Sequence, residues 1–206
     1  MNAGLSNLAT LKAHLLTPAL AASPDYDARL ATVGQAVLGL FEEYTGRIFA
    51  HAVDATVILP GRWSIFIIER LPLQAVTKLE ARETSADAWV EQLVAPEYYG
   101  AQSGVVKLQE PLTGPTGQIR VTFTGGFWWE QLEPTDLAYP SAMPTGATAL
   151  PPALQAAWLL QCDHVWRQLD KLGTSIAEPT ATQPLPPINL VPAVERQLAA
   201  WRVYAL

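Results

Sequence analysis

One cysteine, Cys162, is all the chain has, which excludes an internal disulfide framework and any zinc site built on several cysteines of one chain. Positive charge is scarce too. Thirteen Lys and Arg face nineteen Asp and Glu, a formal net charge of -6, whereas gripping a phosphate backbone takes clustered Lys and Arg. Clamping nucleic acid is therefore not the expected task, although an acidic balance suits a surface that lines a passage for DNA without sticking to it. Charged residues of both signs make up only 16% of the chain, below the roughly 25% usual in soluble domains. Much of the surface should then be polar-neutral or covered by a partner. Long apolar runs are missing as well. No segment reaches the ~18 uninterrupted apolar residues of a membrane span, and "MNAGLSNLAT" at the N-terminus has no basic stretch. The expectation is a chain with no membrane partner, made in a reducing cytosol.

Catalytic signatures are equally absent. No G-x-S-x-G, H-E-x-x-H or G-x-x-x-x-G-K-[ST] occurs, and "GPTGQ" lacks the lysine a phosphate loop needs. His14, His51 and His164 fall in three separate segments. Cys162 and His164, two apart on a helix, point roughly 200° away from each other and cannot share a ligand, so Cys162 reads as a core residue. Glu42 and Glu43 are adjacent and face different directions. Glu130, Glu133 and Asp136 could gather a hard cation, but they lack EF-hand spacing and read as a solvated acidic loop. Seven tryptophans and four lysines do not make a base-stacking platform, which needs a basic groove; the tryptophans read as core and interface. No catalytic, cofactor-binding or metal residue is expected.

What the chain does carry is periodicity. Ser6 can cap a short helix bearing Leu8, Leu11 and Leu15. Ser23 and Pro24 open a longer one, with Leu30, Val33, Val37, Leu40 or Phe41, and Tyr44 at helical spacing until Gly46. From about residue 53 the period becomes strand-like: "ATVILP", "WSIFIIE", "VTKLEAR", "AWVEQL", "GVVKLQ" and "QIRVTFTGG" predict an antiparallel meander or small barrel, with "LPGRWSI" as a hairpin corner. Residues 127 to 150 follow neither period and read as a long loop, of a length usually tied to function. A third helix starts at Pro151 and Pro152 and ends at Gly173. Its Leu154, Trp158, Cys162, Val165, Leu169 and Leu172 form one apolar stripe.

Five prolines between Glu178 and Pro192 predict an extended tether. It delivers "AVERQLAAWRVYAL", a helix with Val194, Leu198, Trp201 and Ala205 on one face, too short to stand alone in water. Such a helix needs a groove on its own domain or on a neighbouring chain. The expected docking is on a partner, so that removing Leu190 to Leu206 should weaken assembly and leave the fold near intact.

The order of "LATLKAHLL", a helix ending in "YTGRIF", strands ending in "IRVTFTGGF", and then "LPPALQAAWLLQCDHVW" resembles the head-tail connector (adaptor) proteins of tailed bacteriophages over roughly residues 5 to 172. The resemblance implies a small helical bundle with an inserted antiparallel β subdomain, an α+β chain that is mainly helical, and no catalysis. The organisation expected of the chain is a connector-like domain over residues 1 to 177 with its β insertion at about 53 to 125 and its long loop at 127 to 150, a Pro-rich linker over 178 to 192, and a docking helix over 193 to 206; the long loop and the Pro-rich tail with its helix depart from the family's pattern. The implied place is the virion neck, assembled in the bacterial host cytoplasm. There, copies of the chain would form a dodecameric ring between the portal protein and the next neck or tail protein, with DNA passing through unread. Subunit closure would need a heterologous patch on each side. Arg47, Val194, Leu198, Trp201 and Arg202 are the candidate subunit or portal contacts. For Arg47 three roles stay open: capping the helix before it, pairing with an acid, or lining the channel. The alternatives are another neck or tail-completion protein, or an enzyme with its site under the 127 to 150 loop.

Overall fold

The structure is a computed structural model that describes residues 4–60, 64–92, 96–108, 117–130, 142–171 and 189–202. The chain divides into two compact units, Met1–Arg47 with Trp129–Met143 and Ala149–Leu206, and Ile48–Trp128 with Pro144–Thr148.

The first unit is helical. Helix α1 spans Leu8–Leu15 and is capped by Asn7, whose side chain accepts from the Thr10 amide at 2.8 Å. Ser6, the expected cap, is instead buried and accepts from Gln155 Nε2 at 3.1 Å. After the single turn α2, Pro18–Ala21, comes α3 at Asp27–Thr45. It begins later than Ser23 and Pro24 suggest, because the Ser23 hydroxyl is used in a local turn, accepting from the Asp25 amide. Its apolar face, Leu30, Val33, Val37 and Phe41, is fully buried. Gly46 stops it at φ 65°, with its amide donating to the Glu42 carbonyl at 2.9 Å; glycine takes that left-handed conformation without a Cβ penalty.

Helix α4, Pro152–Lys171, supplies the facing stripe: Leu154, Trp158, Cys162, Val165 and Leu169 are all buried. Leu172 and Gly173 lie outside the described residues, as does most of the Pro-rich segment. Helix α5, Pro192–Leu198, and a 3-10 turn at Ala199–Trp201 complete the unit. α5 packs on α4 and α3 of its own chain, with Val194 and Leu198 fully buried. Each such side chain is worth about 1.5–3 kcal/mol, so this short helix gets its stability from the groove rather than from its own propensity.

The second unit is built of strands. β1 (Ala52–Pro60), β3 (Leu73–Arg82), β4 (Val90–Glu91) and β7 (Gln118–Gly125) form a four-stranded antiparallel sheet in the order β1-β7-β3-β4. β2 (Ile65–Ile67), β5 (Pro96–Tyr99) and β6 (Val105–Leu108) form a second in the order β2-β6-β5, and β8 (Phe127–Trp128) pairs with β9 (Thr148–Ala149). "QIRVTFTG" shows why: Ile119, Val121 and Phe123 are buried and the residues between them are half-buried, the two-residue period of a strand with one face on a core. Leu79 and Ala81 lie opposite Val121 and Ile119 and extend that face.

Two further expectations change here. The chain is not a mainly helical bundle: 39% of the described residues are helical and 30% are strand. The reason is that the strands close a four-stranded sheet with an apolar face of its own, and so hold their own core. Nor do β1 and β2 make a hairpin about "LPGRWSI": β1 pairs with β7 and β2 with β6, and residues 61–63 lie outside the described residues. Of the 127 to 150 loop, the ends form β8 and β9, and residues 131–141 lie outside the described residues.

Candidate assembly surfaces

The residues singled out for assembly fall into two groups. Arg47 follows Gly46 at the end of α3 and is only 8% exposed; its Nε has no hydrogen-bond partner among the described residues, and burial lowers its pKa. The carbonyl cap of α3 is made by the Gly46 amide instead.

The C-terminal group is held on its own unit. Val194 and Leu198 are core residues, Trp201 is half-buried, and Arg202 is exposed with its guanidinium carbon 5.1 Å from the centre of the Tyr44 ring. Tyr44 Oη also donates to Glu195 Oε1 at 3.4 Å. The contact that fixes the incoming chain is one the sequence does not advertise. Gln161, fully buried on α4, donates from Nε2 to the Asn189 carbonyl and accepts at Oε1 from the Val191 amide, both at 2.9 Å. A buried amide with both ends used fixes the chain just ahead of α5 at one point. A glutamine inside a helical stripe carries no motif, so only the fold finds it.

On the sheet unit, polar chemistry gathers on the face away from the apolar one. Glu80 of β3 is buried at its side chain and accepts from Arg120 Nε at 2.7 Å, with Lys78 Nζ at 3.0 Å. The Arg120 hydrogen bond, with help from Lys78, holds its carboxyl at about 2 against a usual 4.5. Trp89 lies against two guanidinium groups, with Arg82 4.2 Å and Arg120 4.7 Å from its ring centre. Elsewhere His51 is buried, with Nε2 3.2 Å from Gln74 Oε1 and Nδ1 without a partner among the described residues; burial first, and the Arg70 charge after it, lower its pKa.

Among the described residues no group of three or more His, Cys, Asp or Glu could hold a metal ion. Glu130 is exposed, while Glu133 and Asp136 lie outside the described residues. Cys162 is buried and its thiol pKa is raised by burial, as suits an inert core position. His164 is exposed, 2.8 Å from Gln168 Nε2. Among the described residues no helix is long and apolar enough to cross a membrane.

No protein-family model matches the chain, and no curated protein sequence matches it. Solved structures do. A chain in "Neck of empty GTA particle computed with C6 symmetry" has a TM-score of 0.63 at 18% identity, over 97% of this chain and 90% of that one. A chain in "Virion of native gene transfer agent (GTA) particle" has 0.58 at 17%, over 97% and 90%. A third, in "Neck of native GTA particle computed with C12 symmetry", has 0.54 at 18%, over 97% and 89%. The likeness runs through both units, and the chain has the fold of those neck chains.

Proposed function

We propose that this chain is a structural protein of the neck of a phage-like particle, joining head to tail without catalysis. The observation that carries the reading is the extent of the likeness: 97% of this chain superposes on about nine-tenths of a chain from a particle neck. A fold shared over both units, helical and stranded, is what one neck position would require of two sequences only 18% identical. The phage head-tail connector resemblance of "YTGRIF", "IRVTFTGGF" and "LPPALQAAW" points the same way from the sequence.

Several copies would form a closed ring, in keeping with the rotational symmetry under which the similar neck structures were computed. In the finer form of the proposal the ring is dodecameric and lies between the portal protein and the next neck or tail protein, in a virion assembled in the host cytoplasm. DNA would cross its channel without being read. A net charge of -6 fits a channel wall that does not retain DNA.

The test uses the full-length protein, measured by native mass and electron microscopy alone and after mixing with a purified portal ring. A closed ring, alone or on the portal, is the expected result. A chain that stays single and does not bind the portal would overturn the reading.

A further inference from the structure

In the sheet unit, the described large apolar side chains most open to solvent are Val53 (50%), Ile58 (53%), Ile65 (43%) and Val90 (61%). All four lie on edge strands. Val53 and Ile58 are on β1 and Val90 is on β4, the two outer strands of the four-stranded sheet; Ile65 is on β2, an outer strand of the other. The central strands β3, β6 and β7 have none.

Free edges are ordinarily guarded, since an unpaired row of amides and carbonyls is a template for another strand. β1 has its guards only at the ends. Asp54, at φ 52°, sits in an irregularity of the β1 and β7 register between Ala52 and Ala55, and Pro60 closes the strand. Between them "ATVIL", Ala55 to Leu59, has no charge and no proline. Among the described residues, no backbone hydrogen bond from outside the ladder reaches Val53 to Pro60.

The two edges also match. Four strands in alternating directions leave β1 and β4 antiparallel, so a β1 placed beside the β4 of another copy continues the same antiparallel ladder. Ile58, Arg120, Glu80 and Glu91 share one cross-strand row, and Leu59, Ile119, Ala81 and Val90 share the next. Added beside β1, the incoming Val90 would therefore extend the apolar face that holds Leu59. Glu91 would lie on the Ile58 face. Because the edges differ, each copy offers one and accepts the other, which is the head-to-tail contact a ring needs.

We propose that copies of this chain join by strand pairing of β1 of one with β4 of the next, so that the four-stranded sheet runs from subunit to subunit. The inference rests on the ring reading above and names the surface that would close the ring.

The test is the native mass of the full-length protein and of Ile58→Glu, alone and combined with Glu91→Lys. Assembly by the unaltered chain, loss of assembly in the folded Ile58→Glu protein, and its return in the double variant are the expected results. A Glu at position 58 would face Glu91 of the next copy, and reversing that charge removes the repulsion. Rings that form equally well with Ile58→Glu would overturn the edge pairing and leave the neck reading standing. A species of two chains only would also overturn it, since a contact between unlike edges leaves one of each free and continues past two copies. An unaltered chain that stays at 22.4 kDa at every concentration would show that the edges do not join copies, and binding to the portal would then judge the neck reading separately.

Discussion

The indole Nε1 of Trp158 donates to the backbone carbonyl of Gly34 at 3.1 Å, tying α4 to the middle of α3 with both groups buried. Gly4 comes to the same place: a Cβ on it would lie 2.5 Å from the Gly34 carbonyl oxygen and 2.8 Å from Trp158 Cζ2, and its φ of 108° disfavours any side chain. Trp158→Phe should remove this second bond from a carbonyl that keeps its partner within α3, at a cost of about 0.5–1.5 kcal/mol before any loss of packing. Gly4→Ala should destabilise the same contact from the other side. Thermal melts of both variants check this, and an unchanged midpoint in either would place the joint elsewhere.

Removing Leu190 to Leu206 should cost stability rather than assembly alone. Val194 and Leu198 are fully buried in the unit formed with α3 and α4, and losing two such side chains forfeits about 3–6 kcal/mol at the usual value per residue. The truncated protein should melt well below the full chain and expose the groove beside Gln161. A melt that stays put would mean that the helix contributes little to its own subunit.

The helices were legible because their signals are local. Leu30 to Phe41 and Leu154 to Leu169 recur at helical spacing, and Gly46 closes its helix as the pattern predicts. The strands were legible one by one, "QIRVTFTG" most clearly, but not their partners. β7, the last long strand, inserts between β1 and β3, and nothing in a two-residue period says which strand comes to lie beside which. That is why the hairpin at "LPGRWSI" failed and why the sheet's weight in the fold was underestimated. Of the residues expected at assembly contacts, Val194 and Leu198 lie on the buried face of the last helix, where their spacing puts them. Apolarity alone does not say whose groove is filled. Gln161 and the Glu80 cluster stayed hidden because each is made by residues brought from distant segments.

Gln161 offers a narrower test of the C-terminal segment than truncation does. Gln161→Leu keeps much of the volume but leaves the Val191 amide and the Asn189 carbonyl without their buried partner, at about 1–3 kcal/mol for each group that stays dry. The loss should be local. Hydrogen exchange in residues 189–201 should quicken ahead of the rest of α4, because the segment can open without unfolding the unit. Uniform quickening across α3 and α4 would instead make this amide part of the global core.

Acid should weaken the protein in two stages, set by two groups whose folded values both lie below their usual ones. Burial lowers the pKa of His51 in the folded chain, so as pH falls the unfolded chain takes up its proton first; the stability from this site is complete above about 6.5 and is lost as pH falls through the lower folded value. Glu80 acts further down. Its hydrogen bonds to Arg120 and Lys78 hold it ionised to about 2, so its contribution is complete above the unfolded value of 4.5 and is lost as pH falls from there towards 2. Urea midpoints across pH should therefore decline from the His51 range and decline again in the Glu80 range. His51→Gln should flatten the first decline and Glu80→Gln the second, the latter also lowering stability at neutral pH by removing the buried carboxylate that Arg120 and Lys78 share. If Glu80→Gln keeps the full acid slope below 4.5, the charge that governs acid unfolding lies at another carboxylate.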